Sequence, residues 1–352
     1  MTKVKQENID VARIRVHSEE MDRTREVPQS LLDYLIEEKL FKLFVPEQLG
    51  GRMLGLPEAL SVFRQVSHAD GNAGWLTTIG SGGGMFVPNM TEETGQELFS
   101  PASAVIAGSG FPAGTAVPVE GGYRVSGKWK YCSGAPYASM FTANCIIEGT
   151  ETIRSMTLMP NQVEVLGDWN AFGLRATGSH SIRVTDAFVP ETRTFSIFEQ
   201  QNAFAGPVHS FPFVAFSVAS FTAVCLGIAD HFYEEARSLA EEKWPGADRQ
   251  AFVLDELEGH ESEHGKQAAR FESAVRDAWT RHLAGEAMTA EEEQRLIRTA
   301  KTASDTARSG VHHAIRHFGM DAVMEQSPLN RILRDLSTAA QHTFLLPEPA
   351  DN

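Results

Sequence analysis

Cysteine is scarce: Cys132, Cys145 and Cys225 are the only three in 352 residues, and none stands in a CxxC spacing. A disulfide framework and a zinc ribbon are therefore excluded, and the count suits a reducing, cytoplasmic setting. Runs of Lys and Arg are missing as well. With 31 basic against 46 acidic side chains the formal charge is −15. That is the wrong sign for neutralising phosphates, so neither nucleic acid nor an anionic membrane is an expected partner. The opening stretch, MTKVKQENIDVARI, has no apolar run of the kind a secretory signal needs. No GxGxxG opens a helix, no Walker-type GxxxxGK occurs, and no GxSxG marks a nucleophile elbow. A nucleotide cofactor, if bound, needs another architecture.

What is present is unevenly spread. Sixteen of the 29 glycines fall between residues 51 and 134, and only seven follow residue 210. Before the glycine-rich zone, Leu31, Leu32, Leu35, Ile36, Leu40 and Leu43 recur at helical spacing and predict helix over residues 7–44, stopped by Pro46 and Gly50-Gly51. Pro57 opens a second predicted helix, and a third spans Gly74 to Phe86. Residues 101–198 change character. Short β-rich runs such as YRVSGKWKY, SMFTANCII and SIRVTDAFV alternate with turn residues, which predicts a small antiparallel sheet or barrel. After residue 206 helix returns in four segments, near 211–243, 261–285, 290–318 and 328–345. The expected class is α+β in three parts: a helical domain (1–100), a β domain (101–205) and a four-helix bundle (206–352).

One stretch tests solubility. Phe211 to Ala229 carries no charge and approaches membrane-spanning length. Pro212, Ser217, Ser220 and Thr222 dilute it, and no basic cluster flanks it. The expectation is a helix buried on all sides, with no membrane partner. Such a helix hides its surface on partner subunits as well as within its own chain, so a homo-oligomer is expected.

Two histidine groups invite a metal reading. His260 and His264 satisfy HExxH, a spacing that on a helix puts two imidazoles on one face for zinc. Their setting between Gly259 and Gly265, in a polar stretch, reads instead as an exposed acidic segment. His312, His313 and His317 form the second group, with no carboxylate or cysteine in the same turn to complete a ligand set. No metal is expected.

Five further segments occur in a telling order. They are Val45-Pro46-Glu47 through Gly50-Gly51, Asp70-Gly71-Asn72-Ala73-Gly74-Trp75, Gly127-Lys128-Trp129 through Ser133-Gly134, Phe172-Gly173-Leu174-Arg175-Ala176-Thr177-Gly178-Ser179, and Arg334-Asp335 through Ala339-Ala340-Gln341-His342. Together they resemble the acyl-CoA dehydrogenase superfamily over residues 40–345. The resemblance implies a flavin held between the β domain and the bundle, usually in a homotetramer.

Chemistry divides that family. Dehydrogenases need a carboxylate base for the substrate α-carbon. Neither Leu336 to Thr343 nor Phe211 to Ala229 contains an acid. The Ala-Ala-Gln-His ending is instead similar to the two-component flavin monooxygenases, in which a separate reductase supplies reduced FMN or FAD and O2 is the co-substrate. That resemblance makes His342 the catalytic residue, placed over the flavin edge to stabilise the oxygenated flavin or take a phenolic proton. It implies flavin contacts from Trp75, Tyr131, Cys132, Ser133 and Arg175, with the register at Cys132 or Ser133 open. Phe213, Phe216, Ser217 and Ser220 are the expected substrate wall, suited to a small apolar or aromatic molecule. Many members also carry a second pocket histidine about eight residues past the Trp75 position. Here Ser81-Gly82-Gly83-Gly84 stands instead, which either widens the pocket or removes a needed group.

Overall fold

The computed structural model describes residues 9–347. The first residues of the polar N-terminal stretch, and residues 7 and 8 of the first predicted helix, lie outside the described residues. The remainder of that predicted helix is three: α1 (Val11–Arg15), α2 (Ser18–Thr24) and α3 (Gln29–Glu37). Arg25 ends α2 in the left-handed region at φ 62°, and Pro28 then starts α3, so only Leu31, Leu32, Leu35 and Ile36 of the leucine series are helical together, while Leu40 and Leu43 follow in turns. α4 (Leu56–Ala69) holds Pro57 in its first turn. α5 (Gly71–Gly82) is capped by Asp70, whose carboxylate accepts from the Asn72 and Ala73 amides. Past Gly82 the chain tightens into 3-10 geometry over Gly83–Asn89, around Pro88. α6 (Glu92–Phe99) follows, capped by Thr91 and without the apolar periodicity that reveals a helix in sequence.

Seven strands form one sheet. They are β1 (Ile106–Val119), β2 (Gly122–Cys132), β3 (Met140–Ile147), β4 (Ile153–Leu158), β5 (Glu164–Val165), β6 (His180–Pro190) and β7 (Thr194–Phe195), in the order β5-β6-β2-β1-β3-β4-β7. The sheet is mixed, which corrects the antiparallel expectation. β1 and β2 form a hairpin, but the chain leaving β2 passes beneath β1 and enters β3 on its far side, so β3 runs parallel to β1. Alternation and turn residues mark strands without marking which neighbour each pairs with.

The C-terminal region holds α7 (Phe213–Lys243), α8 (Asp248–Leu283), α9 (Ala290–Ala314) and α10 (Pro328–Ala339). α7 is long and apolar enough to cross a membrane, yet 83% of its most apolar window is buried inside the protein. It packs between α4 on one side and α9 and α10 on the other. One apolar cluster accordingly runs from Ile14 to Ala339, joining the N-terminal helices to the C-terminal ones. A second lies within the sheet around Trp129, Phe141 and Ile182. α8 begins at Asp248 rather than near 261, and its glycines at 259 and 265 do not break it. The expected exposed segment around His260 is therefore mid-helix, because burial of Val253 and Leu257 outweighs the glycine cost of about 1 kcal/mol each.

Candidate active site

Where α5, the end of β2, α7 and the segment after α10 meet, aromatic and hydroxyl side chains gather. Trp75, one turn into α5, donates its indole N–H to Ser133 Oγ at 2.9 Å. Ser133 faces α5 because β2 bulges just before it: the β2–β6 register shifts between Trp129 and Cys132, and Tyr131 takes φ 65°. The same bulge turns the Cys132 thiol into the sheet core, where burial pushes its pKa up to about 12. Tyr131 is left exposed, its ring edge-on to Trp169 at 6.4 Å. The thiol and the Tyr131 ring thus lie outside the cluster.

His342 comes from the other side. Its ring lies 3.9 Å from that of Phe221 on α7, centroid to centroid, and 5.7 Å from Trp75, while Trp75 stacks on Phe221 at 5.2 Å. His342 Nδ1 accepts from the Phe344 amide, which assigns the proton of the neutral ring to Nε2. Burial pulls the His342 pKa down to about 4, so the imidazole is neutral at physiological pH.

A third component is the loop Leu174–Ser179. Leu174 and Gly178 both take left-handed conformations, and a Cβ at Gly173 would lie 1.9 Å from the Arg334 carbonyl oxygen. The loop is clamped from two helices. The Leu174 amide donates to Asp335 Oδ1 (2.5 Å), and the Ala176 amide donates to Asn72 Oδ1 (2.9 Å). Asn72 Nδ2 also reaches Asp335 Oδ2 at 3.4 Å. Burial, and then the charge of Asp70, push the Asp335 carboxyl up to about 8. The clamp presents Thr177 and Ser179 to Ser133. The Ser133 and Ser179 hydroxyls are 2.7 Å apart, as are those of Ser179 and Thr177.

Other expected residues are placed elsewhere. Arg175 points toward α2, with Asp22 at 3.7 Å and Glu325 at 3.5 Å. Phe216 packs on Phe44 at 5.0 Å, and Phe213 sits half-exposed beside Phe86. The Ser217 and Ser220 hydroxyls donate back to the Phe213 and Phe216 carbonyls of their own helix. The α7 aromatic that reaches the cluster is Phe221, which no motif flagged; it lies about 100° around the helix from Ser220. The glycine run does not simply widen a pocket. A Cβ at Gly83 would meet Ile106 at 1.8 Å and one at Gly84 would meet the Val45 backbone at 3.0 Å, while only Gly82 faces open space. His209, from the segment before α7, brings Nε2 to 3.3 Å from the Gly84 carbonyl. The sequence carried no signal for that histidine.

The HExxH pair divides. His264 is buried and its Nε2 bonds Asp230 Oδ1 at 2.8 Å, while Asp230 also takes a two-pronged contact from Arg64 (2.6 and 2.9 Å). This corrects the expectation that both histidines are exposed. His260 stacks on His313. His312 pairs with Ser337, and His317 lies 3.6 Å from Glu256. Among the described residues no three His, Cys, Asp or Glu side chains are grouped to hold a metal.

Comparison with known proteins now decides the family. Residues 8–103 match the model of the acyl-CoA dehydrogenase N-terminal domain, and residues 219–347 match that of its C-terminal domain. The chain belongs to the acyl-CoA dehydrogenase superfamily. Among its relatives within this superfamily, an indole-3-acetate monooxygenase from Pseudomonas putida is 27% identical, over 96% of this chain and 88% of the relative. The flavin-dependent monooxygenase oxygenase subunit HsaA from Rhodococcus jostii is 26% identical, over 96% and 93%. The same fold is found in 3-HSA hydroxylase from Rhodococcus (TM-score 0.89, 23% identity, 95% of this chain and 90% of that one). It is also found in XiaF from Streptomyces, in complex with FADH2 and glycerol (TM-score 0.85, 22% identity, 95% and 89%).

Proposed function

We propose that this protein is the oxygenase component of a two-component monooxygenase, using reduced flavin and O2 to hydroxylate a small aromatic substrate. The observation that carries the reading is the meeting of a neutral His342 with Trp75 and Phe221, beside Ser133. A neutral imidazole buried among aromatic rings offers its Nε2–H as a donor without bringing a competing charge. Asp335, the last acid before His342 in sequence, cannot serve as a dehydrogenase base while its oxygens are bonded to the Leu174 amide and the Asn72 side chain. Relatives named as indole-3-acetate monooxygenase and as a flavin-dependent oxygenase subunit support the same chemistry.

The residues present fit a flavin. Ser133 keeps a lone pair beyond its two observed hydrogen bonds, and the nearby Tyr137 hydroxyl is buried without a partner. A bound reduced flavin, FMN or FAD, would supply the activation of O2. Ser133 and Trp75 would hold the ring edge, and His342 Nε2–H would serve the oxygen or the substrate phenol. Phe221 would face the substrate beside His342, and Phe213, Phe216, Ser217 and Ser220 are proposed as a farther stretch of that wall along α7, toward Phe44 and Phe86. Tyr131 and Arg175 adjoin Ser133 and Thr177 in sequence and are candidates for the outer parts of the cofactor; the Cys132 backbone N–H belongs to the same group.

Our reading of the whole is three domains (1–100, 101–205, 206–352), the last a four-helix bundle, in a cytoplasmic homotetramer served by a separate flavin reductase. Exposed Phe252, Leu283, Met320 and Val323 on the C-terminal helical region support self-association. The test is anaerobic titration with reduced FMN and FAD, followed by oxygen and a panel including indole-3-acetate and resorcinol. A product heavier by one oxygen is expected for at least one aromatic. Failure to bind reduced flavin, or hydrogen peroxide as the sole product with every substrate, would sink the reading.

A further inference from the structure

The hydroxyls beside Trp75 form a file whose direction is set at its Leu174 end, with Trp75 occupying an acceptor site of Ser133 at the other. At one end the Trp75 indole N–H can only donate, and it donates to Ser133 Oγ. At the other, the Leu174 carbonyl can only accept, and it accepts from Thr177 Oγ1 at 2.9 Å and from the Trp169 indole at 2.9 Å. Between these ends the two serine–serine and serine–threonine contacts have one arrangement that satisfies every group. Thr177 spends its hydrogen on Leu174, so it accepts from Ser179; Ser179 spends its own on Thr177, so it accepts from Ser133. Ser133 is then left with one lone pair and no hydrogen. All three side chains are buried, which makes a broken link costly and a reversed file unfavourable.

We propose that Ser179 and Thr177 are positioning residues that turn Ser133 into an obligate hydrogen-bond acceptor, and that this makes the site select reduced over oxidised flavin. The inference rests on the flavin reading given above, with Ser133 taken to stand against N5 of the flavin ring. The chemistry is general: reduced flavin carries a hydrogen on N5 and offers a donor, whereas oxidised N5 is a bare lone pair. An acceptor at Ser133 stabilises the first and repels the second. An oxygenase component that takes reduced flavin from a separate reductase, and must release the oxidised product, gains both properties from one buried file.

The test measures dissociation constants of oxidised and anaerobically photoreduced FMN and FAD, and the midpoint potential of the bound flavin. In Thr177→Val the acceptor for Ser179 is lost. Ser179 then turns its hydrogen to Ser133, which releases its own hydrogen and becomes a donor. The ratio of oxidised to reduced dissociation constants should fall on the order of ten-fold, and the bound potential by about 30 mV for each ten-fold. Ser179→Ala should act in the same direction, because it leaves the Ser133 hydrogen without an acceptor. Thr177→Ser retains the hydroxyl and should keep the wild-type ratio. If Thr177→Val and Ser179→Ala bind flavin with the wild-type ratio and potential, the inference is overturned while the flavin reading stands. If the wild-type protein binds flavin in neither redox state, both fall together.

Discussion

Two buried polar clusters hold this molecule's helices together, and they differ in how they are written. Around Asp230, Arg64 of α4 and His264 of α8 meet a carboxylate of α7, with Glu272 adding a contact to Arg64 at 2.7 Å. Around Ser133, residues of α5, the β2 end, the Leu174 loop and α7 meet His342. The first cluster contains a recognisable local motif, yet its polar groups turn mostly to one another: Arg64 bonds Asp230 and Glu272, His264 bonds Asp230 through Nε2, and the buried His264 Nδ1 is the one nitrogen there without a partner among the described residues. The second is assembled from residues that no local motif links, and it leaves a neutral imidazole and a spare lone pair. Motif strength within six residues measures what a helix face could bind. What remains unsatisfied after folding measures what a site can do.

The largest expected effect breaks the second cluster. His342→Ala should lower hydroxylation by about 10²–10⁴-fold while reduced flavin still binds; unchanged single-turnover product yield would remove His342 from the mechanism. Next comes the first cluster. His264→Ala strips Asp230 of a charge-assisted partner and should cost about 2–3 kcal/mol in urea unfolding, whereas His260→Ala should stay within about 0.5 kcal/mol. Equal losses in the two variants, together with zinc stabilising the wild type but neither variant, would instead argue for a metal pair.

A third expectation concerns pH. The folded His342 pKa near 4 lies below its unfolded value of about 6.5, so the unfolded chain binds more protons between them. Its contribution to stability is therefore present above about pH 6.5 and is lost as pH falls toward 4. Asp335 runs the other way. Its folded value near 8 exceeds the unfolded 3.9 or so, so the folded state holds the extra proton and stability declines as pH climbs through that window. Asp335→Asn should flatten the alkaline decline, and His342→Ala the acid one; denaturant midpoints across pH 4–9 read both, and unaltered curves would count against these assignments. The smallest effect is at Cys132. Its thiol is in the sheet core, so Cys132→Ala should leave turnover unchanged and cost about 1 kcal/mol of stability. A large loss of activity would return the thiol to the site.

Much of the fold was legible because local physics writes it. Pro57 in a first turn, Asp70 as a cap, and the uncharged run that became α7 are short-range signals. The helix–β–helix order followed from them. Three features escaped for stated reasons. β3 runs parallel to β1 because of a crossover that strand patterns do not encode. α8 starts thirteen residues before the expected 261, since tertiary burial carried it through polar, glycine-bearing sequence. α6 buries one face, but only Leu98 and Phe99 on it are large and apolar, too few to mark a helix in sequence. At the site, Trp75, Ser133, Thr177, Ser179 and His342 all lie in segments that carry the family resemblance, whereas Phe221 looked like an ordinary helix residue, and nothing in the resemblance gave Thr177 or Ser179 a role.

Taken alone, the sequence determined the helix–β–helix order and the lack of acids in Leu336–Thr343 and Phe211–Ala229, and it nominated the segments proposed to carry chemistry. These are properties of composition and near neighbours. Only the tertiary structure decided that His264, on α8, bonds Asp230 on α7. It also decided that Ser133 rather than the Cys132 thiol meets Trp75, and that every hydrogen in the file between Trp75 and Leu174 has an acceptor. Hydrogen-bond direction depends on the group that ends the file, and here the file's two ends are about a hundred residues apart in the chain and a few ångströms apart in space.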